Sequence, residues 1–153
     1  MGLFSGIEDA KEYAGGVYLS EGVYNDLEIV EVKTLITRKK EEMFCVEVLV
    51  HESVGPKAIM PGVKAAWMCN KKHDAFLGNV LSFMRPCASE KYQQPVQSGD
   101  ISEEDMELAV SSENPYAGTH MKAVAVNIKT RSGGDFTKVE WQPKSVFTTS
   151  KTP

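Results

Sequence analysis

The side chains of this 153-residue chain best suited to metal binding or nucleophilic chemistry are Cys45, Cys69 and Cys87 and His51, His73 and His120. A structural zinc site draws four ligands, usually in close-spaced pairs. Only Cys69 and His73 form such a pair; Cys45 falls mid-strand and Cys87 follows Pro86. The three histidines are scattered along the chain, and no Gly-x-Ser-x-Gly elbow accompanies them. His51 and His120 each read as half-exposed strand residues. Paired carboxylates occur at Glu41-Glu42 and Glu103-Glu104-Asp105, a turn and a helix start, where solubility and the helix dipole account for them. Gly133-Gly134 lacks the following helix and the Gly-Lys-Ser/Thr of a phosphate loop. The expectation is a protein that is not an enzyme and uses no cofactor or metal.

Binding of nucleic acid asks for less: a basic surface that neutralises phosphates and flat side chains on which bases stack, each worth roughly 1–3 kcal/mol. Arg38, Lys39 and Lys40 fall in the loop between the first two expected strands. Lys64, Lys71 and Lys72 lie on the third strand and its exit, and Lys129, Arg131 and Lys138 on or beside the last hairpin. Trp67, Phe136 and Trp141 sit beside them on strands and are candidate stacking rings. Each ring has the alternative reading of a core aromatic, and each lysine that of a solvated surface.

These residues need a strand framework to position them, and the hydrophobic pattern supplies one. Val23–Ile36 reads as a long strand whose phase shifts from Leu27 and Ile29 to Val30 and Val32, as a bulge would produce. Met43–His51 alternates Phe44, Val46, Val48 and Val50 on one face with Cys45, Glu47, Leu49 and His51 on the other. Val63–Cys69 makes a short third strand. Asp74 is placed to cap a helix with an apolar stripe of Phe76, Leu77, Val80, Leu81 and Phe83, which Pro86 should stop; residues 87–100 then read as an exposed loop. Ser102 caps a second short helix to Val110. Thr119–Lys129 and Phe136–Trp141 form a hairpin around Gly133-Gly134.

Three strands, a helix, a short helix and two strands predict a mainly β five-stranded OB-like Greek-key barrel with a helix between strands 3 and 4. An unrelated mixed α+β sheet is the alternative. Residues 1–16 read as an N-terminal arm, 17–142 as one OB-like domain and 143–153 as a flexible tail.

Charge is segregated. Net charge is −4, with balances of −6 over residues 1–32, +4 over 33–85, −6 over 86–118 and +4 over 119–153. Sign asymmetry of this kind bears on partner choice. No apolar run approaches the ~20 residues of a membrane helix, so no membrane association is expected. Three cysteines and no signal-peptide pattern predict reduced thiols in a cytosol-like compartment.

Gly2-Leu3-Phe4 through Ala10-Lys11-Glu12-Tyr13, then Gly16-Val17-Tyr18-Leu19, resembles the opening of a family of tailed-phage proteins encoded among replication and recombination genes. Lys72-His73-Asp74-Ala75, Asn114-Pro115-Tyr116-Ala117-Gly118, Gly133-Gly134-Asp135-Phe136-Thr137-Lys138 and Trp141-Gln142-Pro143 resemble its later parts. Members are described mostly as uncharacterised or putative single-stranded DNA-binding proteins. The resemblance implies a bacteriophage protein in the host cytoplasm that coats single-stranded DNA with low sequence specificity during replication or recombination. Phage replication or recombination proteins and a second copy of the chain are further candidate partners. The alternative is a non-enzymatic factor that docks a host or phage protein through its acidic segments. One departure stands out: many single-strand binders end in an acidic tail, whereas residues 144–153 contain no acid.

Overall fold

The computed structural model describes residues 17–129 and 135–144. Five strands, β1 (Gly22–Ile36), β2 (Glu42–Val54), β3 (Lys64–Asn70), β4 (His120–Lys129) and β5 (Asp135–Pro143), are joined by helices α1 (Phe76–Tyr92) and α2 (Glu103–Ala109). They form one sheet in the order β3-β2-β1-β4-β5, with every neighbouring pair antiparallel. The sheet is open: β3 and β5 are its edges, so the closed barrel expected from the sequence is not what forms. Part of the reason lies at the β3 edge. Leu19 N–H donates to Ala66 C=O (2.8 Å) and Ala66 N–H donates to Val17 C=O (2.9 Å), so this short segment occupies the edge at which β5 would have to pair.

Alternation in β2 is as the sequence predicts. Phe44, Val46, Val48 and Val50 are buried, and their burial contributes roughly 1.5–3 kcal/mol per side chain. In β1 the pairing register slips between Ile29 and Glu31, which transfers the buried positions from Leu27 and Ile29 to Val32. Beyond Ile29, β4 has not yet begun, and the Asn114 side chain takes its place. Its Oδ1 accepts from Val32 N–H (2.8 Å) and its Nδ2 donates to Val32 C=O (2.7 Å). A single amide thereby reproduces one rung of a ladder.

Helix α1 departs from the sequence reading at both ends, and Asp74 does not cap it. Pro86 does not end α1 but lies inside it, and no side chain caps the start at Ala75. An interior proline costs about 3 kcal/mol. Burial continues across it on one face, through Val80, Phe83, Met84, Cys87 and Ala88, and full burial of Phe83 and Met84 alone is worth roughly 1.5–3 kcal/mol each. Residues 87–92 therefore belong to the helix rather than to an exposed loop, and the chain leaves it at Gln93 in a left-handed conformation (φ 56°). Leu77, expected in the apolar stripe, is 70% exposed. Helix α2 starts as predicted, with Ser102 and Asp105 exchanging hydrogen bonds in a capping box.

Aromatic rings fill the space between the two sheet edges. Phe83 of α1 meets Trp141 of β5 edge-on at 4.9 Å, Trp141 meets Trp67 of β3 at 5.4 Å, and Phe44 lies 6.1 Å from Phe83. The edges that do not hydrogen-bond to each other are thus joined by packing.

Candidate functional site

The basic residues do not gather in one place. Arg38, Lys39 and Lys40 are exposed at the tip of the β1–β2 hairpin. Thr37 N–H donates to Glu41 C=O and Lys40 N–H to Thr37 C=O, closing a three-residue loop. Such loops finish in a left-handed residue, here Lys40 at φ 64°. The next turn of chain brings Lys71 and Lys72 alongside, but these two are paired: Lys71 Nζ lies 2.9 Å from Glu42 and Lys72 Nζ 3.5 Å from Glu41. Both pairs are exposed and worth at most about 1 kcal/mol. No ion pair engages Arg38, Lys39 or Lys40 among the described residues. Among the described residues, Arg38, Lys39, Lys40, Lys71 and Lys72 thus gather at this end of the sheet, with Glu41 and Glu42 paired to the last two.

Lys64, Lys129 and Lys138 lie elsewhere. Lys64 is exposed at the start of β3, opposite Leu49. The pairing of β1 with β4 ends at Gly22 and Ala125, so Lys129 sits on a part of β4 that runs past β1, and Lys138 lies opposite Val126 on the same projecting hairpin. From Gly22 to Ile36, β1 alone measures about 45 Å along the strand. Lys64 is level with Glu28 through Leu49, near the middle of β1, so the basic residues lie at the hairpin tip, on the β3 edge and on the projecting hairpin rather than in one place. Arg131 and the side chain of Phe136 lie outside the described residues.

Trp67 and Trp141 are each 4% exposed and sit in the aromatic cluster. Rings buried on both faces offer no surface to a base, so the stacking role expected of them is replaced by a core role. Neither indole N–H has an acceptor among the described residues. Both lie on inward positions of edge strands, and sequence alternation alone could not tell which face of a short edge strand the core would take.

The outer face of β1–β3 is where an OB-type protein would hold nucleic acid. Here it presents Glu28, Glu31 and Glu47, with Lys33 bridging the last two at 3.7 and 3.1 Å. Beside them is a group that the sequence reading treated as scattered. His51 and His120 stack at 5.3 Å with their planes 28° apart. His51 Nε2 is 2.9 Å from Glu28 Oε1, and His120 Nδ1 is 2.6 Å from Asp26 Oδ1. Burial alone would raise the Asp26 carboxyl; the hydrogen bond and charge of His120, helped by Lys144 and His51, outweigh it and hold the group below its ordinary value. The hairpin register already sets His51 against Asp26–Glu28, a signal available in the sequence. His120 joins them only through the β1–β4 pairing, across 94 positions of chain, which no local pattern reveals.

The cysteines do not converge on His73. Cys69 points into the core and Cys45 to the opposite face of the sheet, since their register partners Phe44 and Met68 alternate. All three thiols are buried; desolvation pushes Cys69 up to about 12 and Cys87 higher still. Such thiols are inert as nucleophiles near neutral pH. No helix of the described residues is long and apolar enough to cross a membrane. The chain shows no match to a protein-family model or to a curated protein.

Proposed function

We propose that the protein binds single-stranded DNA without catalysing a reaction, and that phosphate contacts at the β1–β2 tip supply most of the affinity. The observation that carries this reading is the run Arg38-Lys39-Lys40: three consecutive exposed cations with no ion pair among the described residues. The conformation of Lys40 adds to it. A left-handed backbone favours glycine or asparagine and costs another residue about 1 kcal/mol, so a lysine there sacrifices stability to retain charge.

The architecture is in keeping with an OB-type barrel left open at one seam. Strand β1 pairs with both β2 and β4, a helix links β3 to β4, and β3 faces β5 through Trp67 and Trp141. The phage setting, the host cytoplasm and the replication or recombination context rest on the sequence resemblance. Because the two tryptophans are buried and Glu28, Glu31 and Glu47 outnumber Lys33 and Lys64 on the outer face of β1–β3, this reading assigns the DNA to the rim of the sheet.

Fluorescence anisotropy with labelled oligo-dT at several salt concentrations tests the proposal. For single strands the logarithm of affinity falls with the logarithm of salt at about 0.7 per neutralised phosphate. Replacing Arg38, Lys39 and Lys40 together by alanine should lower that slope by about 2. Absence of binding at micromolar protein in low salt, or an unchanged slope in the triple variant, would sink the reading.

A second reading has its own observation. Glu103, Glu104, Asp105 and Glu107 are all exposed on α2, while Ala109 anchors that helix in the core. An acidic ridge on an anchored helix suits docking of a basic protein partner, and binding to a partner that persists after nuclease treatment would favour it.

A further inference from the structure

Asp26, Glu28, His51 and His120 converge on the outer face of the sheet, away from the cations assigned to DNA. Three adjacent strands hold them. Glu28 and His120 are register partners across β1 and β4. His51 is the extra residue where β2 slips against β1, between the pairs Leu27–Val50 and Asp26–Glu52. Bulges of this kind re-aim a side chain, and this one turns the His51 ring to Glu28 and onto His120.

Donor atoms from Glu28, His51 and His120 all lie within 4.8 Å of one another. A tetrahedral ion with bonds of 2.0–2.1 Å needs donors about 3.3 Å apart. Glu28 Oε1 and His51 Nε2 stand at 2.9 Å as a hydrogen-bonded pair whose proton the ion would displace, and the other separations, at most 4.8 Å, shorten by rotation of partly exposed side chains. Asp26 completes the chemistry from behind. A carboxylate has no proton to give, so at the 2.6 Å contact His120 Nδ1 donates, and in the neutral form of the ring that a metal binds the lone pair is then on Nε2. A carboxylate behind an imidazole is the arrangement that fixes the tautomer and orientation of metal-binding histidines. Charge points the same way. The carboxylates of Asp26 and Glu28 outnumber the one lysine beside them, Lys144 at 3.6 Å from Asp26, which favours a dication.

We propose that Glu28, His51 and His120 bind a divalent transition ion of the zinc class, with Asp26 as the positioning residue for His120. Two imidazoles and one carboxylate suit zinc, nickel or copper rather than calcium or magnesium, whose ligands are oxygens. The remaining coordination position faces solvent. A bound ion would tie β2, β1 and β4 together at the point where both pairings are irregular.

The test uses the full chain, stripped with chelator and dialysed. Calorimetric titration with Zn²⁺ should show one site per chain and a raised melting temperature, and Co²⁺ should give an absorption spectrum without thiolate charge-transfer bands. His51→Ala and His120→Ala should abolish binding, Asp26→Asn should weaken it by about 10–100-fold, and His73→Ala should leave it unchanged. Absence of one-to-one binding, binding that survives His51→Ala or His120→Ala, or binding lost in His73→Ala would overturn the proposal. If an alanine variant fails to fold, histidine NMR of the wild-type chain decides. Zinc must shift the His51 and His120 ring signals and leave those of His73 in place; the opposite pattern refutes the site.

Discussion

Asn114 offers the sharpest test of how the sheet is held together. Its side chain accepts from Val32 N–H at 2.8 Å and donates to Val32 C=O at 2.7 Å, with a third bond to Ser111 C=O at 3.2 Å. Val32 is fully buried, so removing the amide leaves a backbone donor and acceptor without partners. Each such loss costs about 1–3 kcal/mol. Asn114 also holds φ 41°, a left-handed conformation that asparagine tolerates and alanine pays for by about 1 kcal/mol or more. Asn114→Ala should therefore destabilise by about 3–7 kcal/mol, and Asn114→Gly, which loses the bonds without the backbone strain, by about 1 kcal/mol less. At this chain length a loss of 3 kcal/mol lowers the melting temperature by roughly 6–12 °C. Urea denaturation of the three proteins measures the difference at constant slope. If both variants fall within 0.5 kcal/mol of wild type, the side chain is not serving as a rung of the sheet. A glycine variant less stable than the alanine variant would refute the strain component.

Two further predictions follow from burial. Trp67→Phe and Trp141→Phe keep a ring and delete an unpaired N–H, so the folded proteins should bind oligo-dT within about twofold of wild type, whereas alanine at either position should cost about 3–5 kcal/mol of stability; loss of affinity in a folded phenylalanine variant would restore the stacking role. For Cys69 the folded pKa, at about 12, lies above the ordinary thiol value, so between roughly pH 9 and 12 the unfolded chain has released a proton that the folded chain keeps. Stability due to this thiol is complete below pH 9 and falls above it by about 1.4 kcal/mol per pH unit. Denaturation of wild type and Cys69→Ala across that range isolates the effect, and parallel profiles would contradict it.

The strands were legible because their signals are local. The β2 alternation Phe44, Val46, Val48, Val50 is a period-two pattern with one buried face, and the phase change after Ile29 marks a register slip that the pairing bears out. The capping box at Ser102 is equally local. What stayed hidden depends on contacts between distant segments. Pro86 ends helices by default, and only the continued burial of Met84, Cys87 and Ala88 against the sheet keeps α1 intact. The open seam depends on residues 17–19 occupying the β3 edge, for which a Tyr-Leu pair gives no cue. The cations are visible in the sequence, but their separation into the hairpin tip, the β3 edge and the projecting hairpin follows from strand pairing rather than from their spacing.

Charge on the outer face ties the two proposals together while leaving their tests separate. Glu28, Glu31 and Glu47 repel phosphate from the centre of the sheet, and Lys33 offsets only part of that charge. A dication held by Glu28, His51 and His120 would make the same face about two charges more positive, at a position between the basic tip and the projecting hairpin. Ion and DNA would then favour each other, and by linkage any factor by which zinc tightens oligo-dT binding must equal the factor by which oligo-dT tightens zinc binding. Glu28→Gln separates this coupling from simple charge removal. It deletes a ligand and a repulsive carboxylate together, so DNA affinity without metal should rise while its response to zinc disappears. A zinc response that persists in Glu28→Gln would mean that the ion acts elsewhere, even if the DNA-binding surface is assigned correctly.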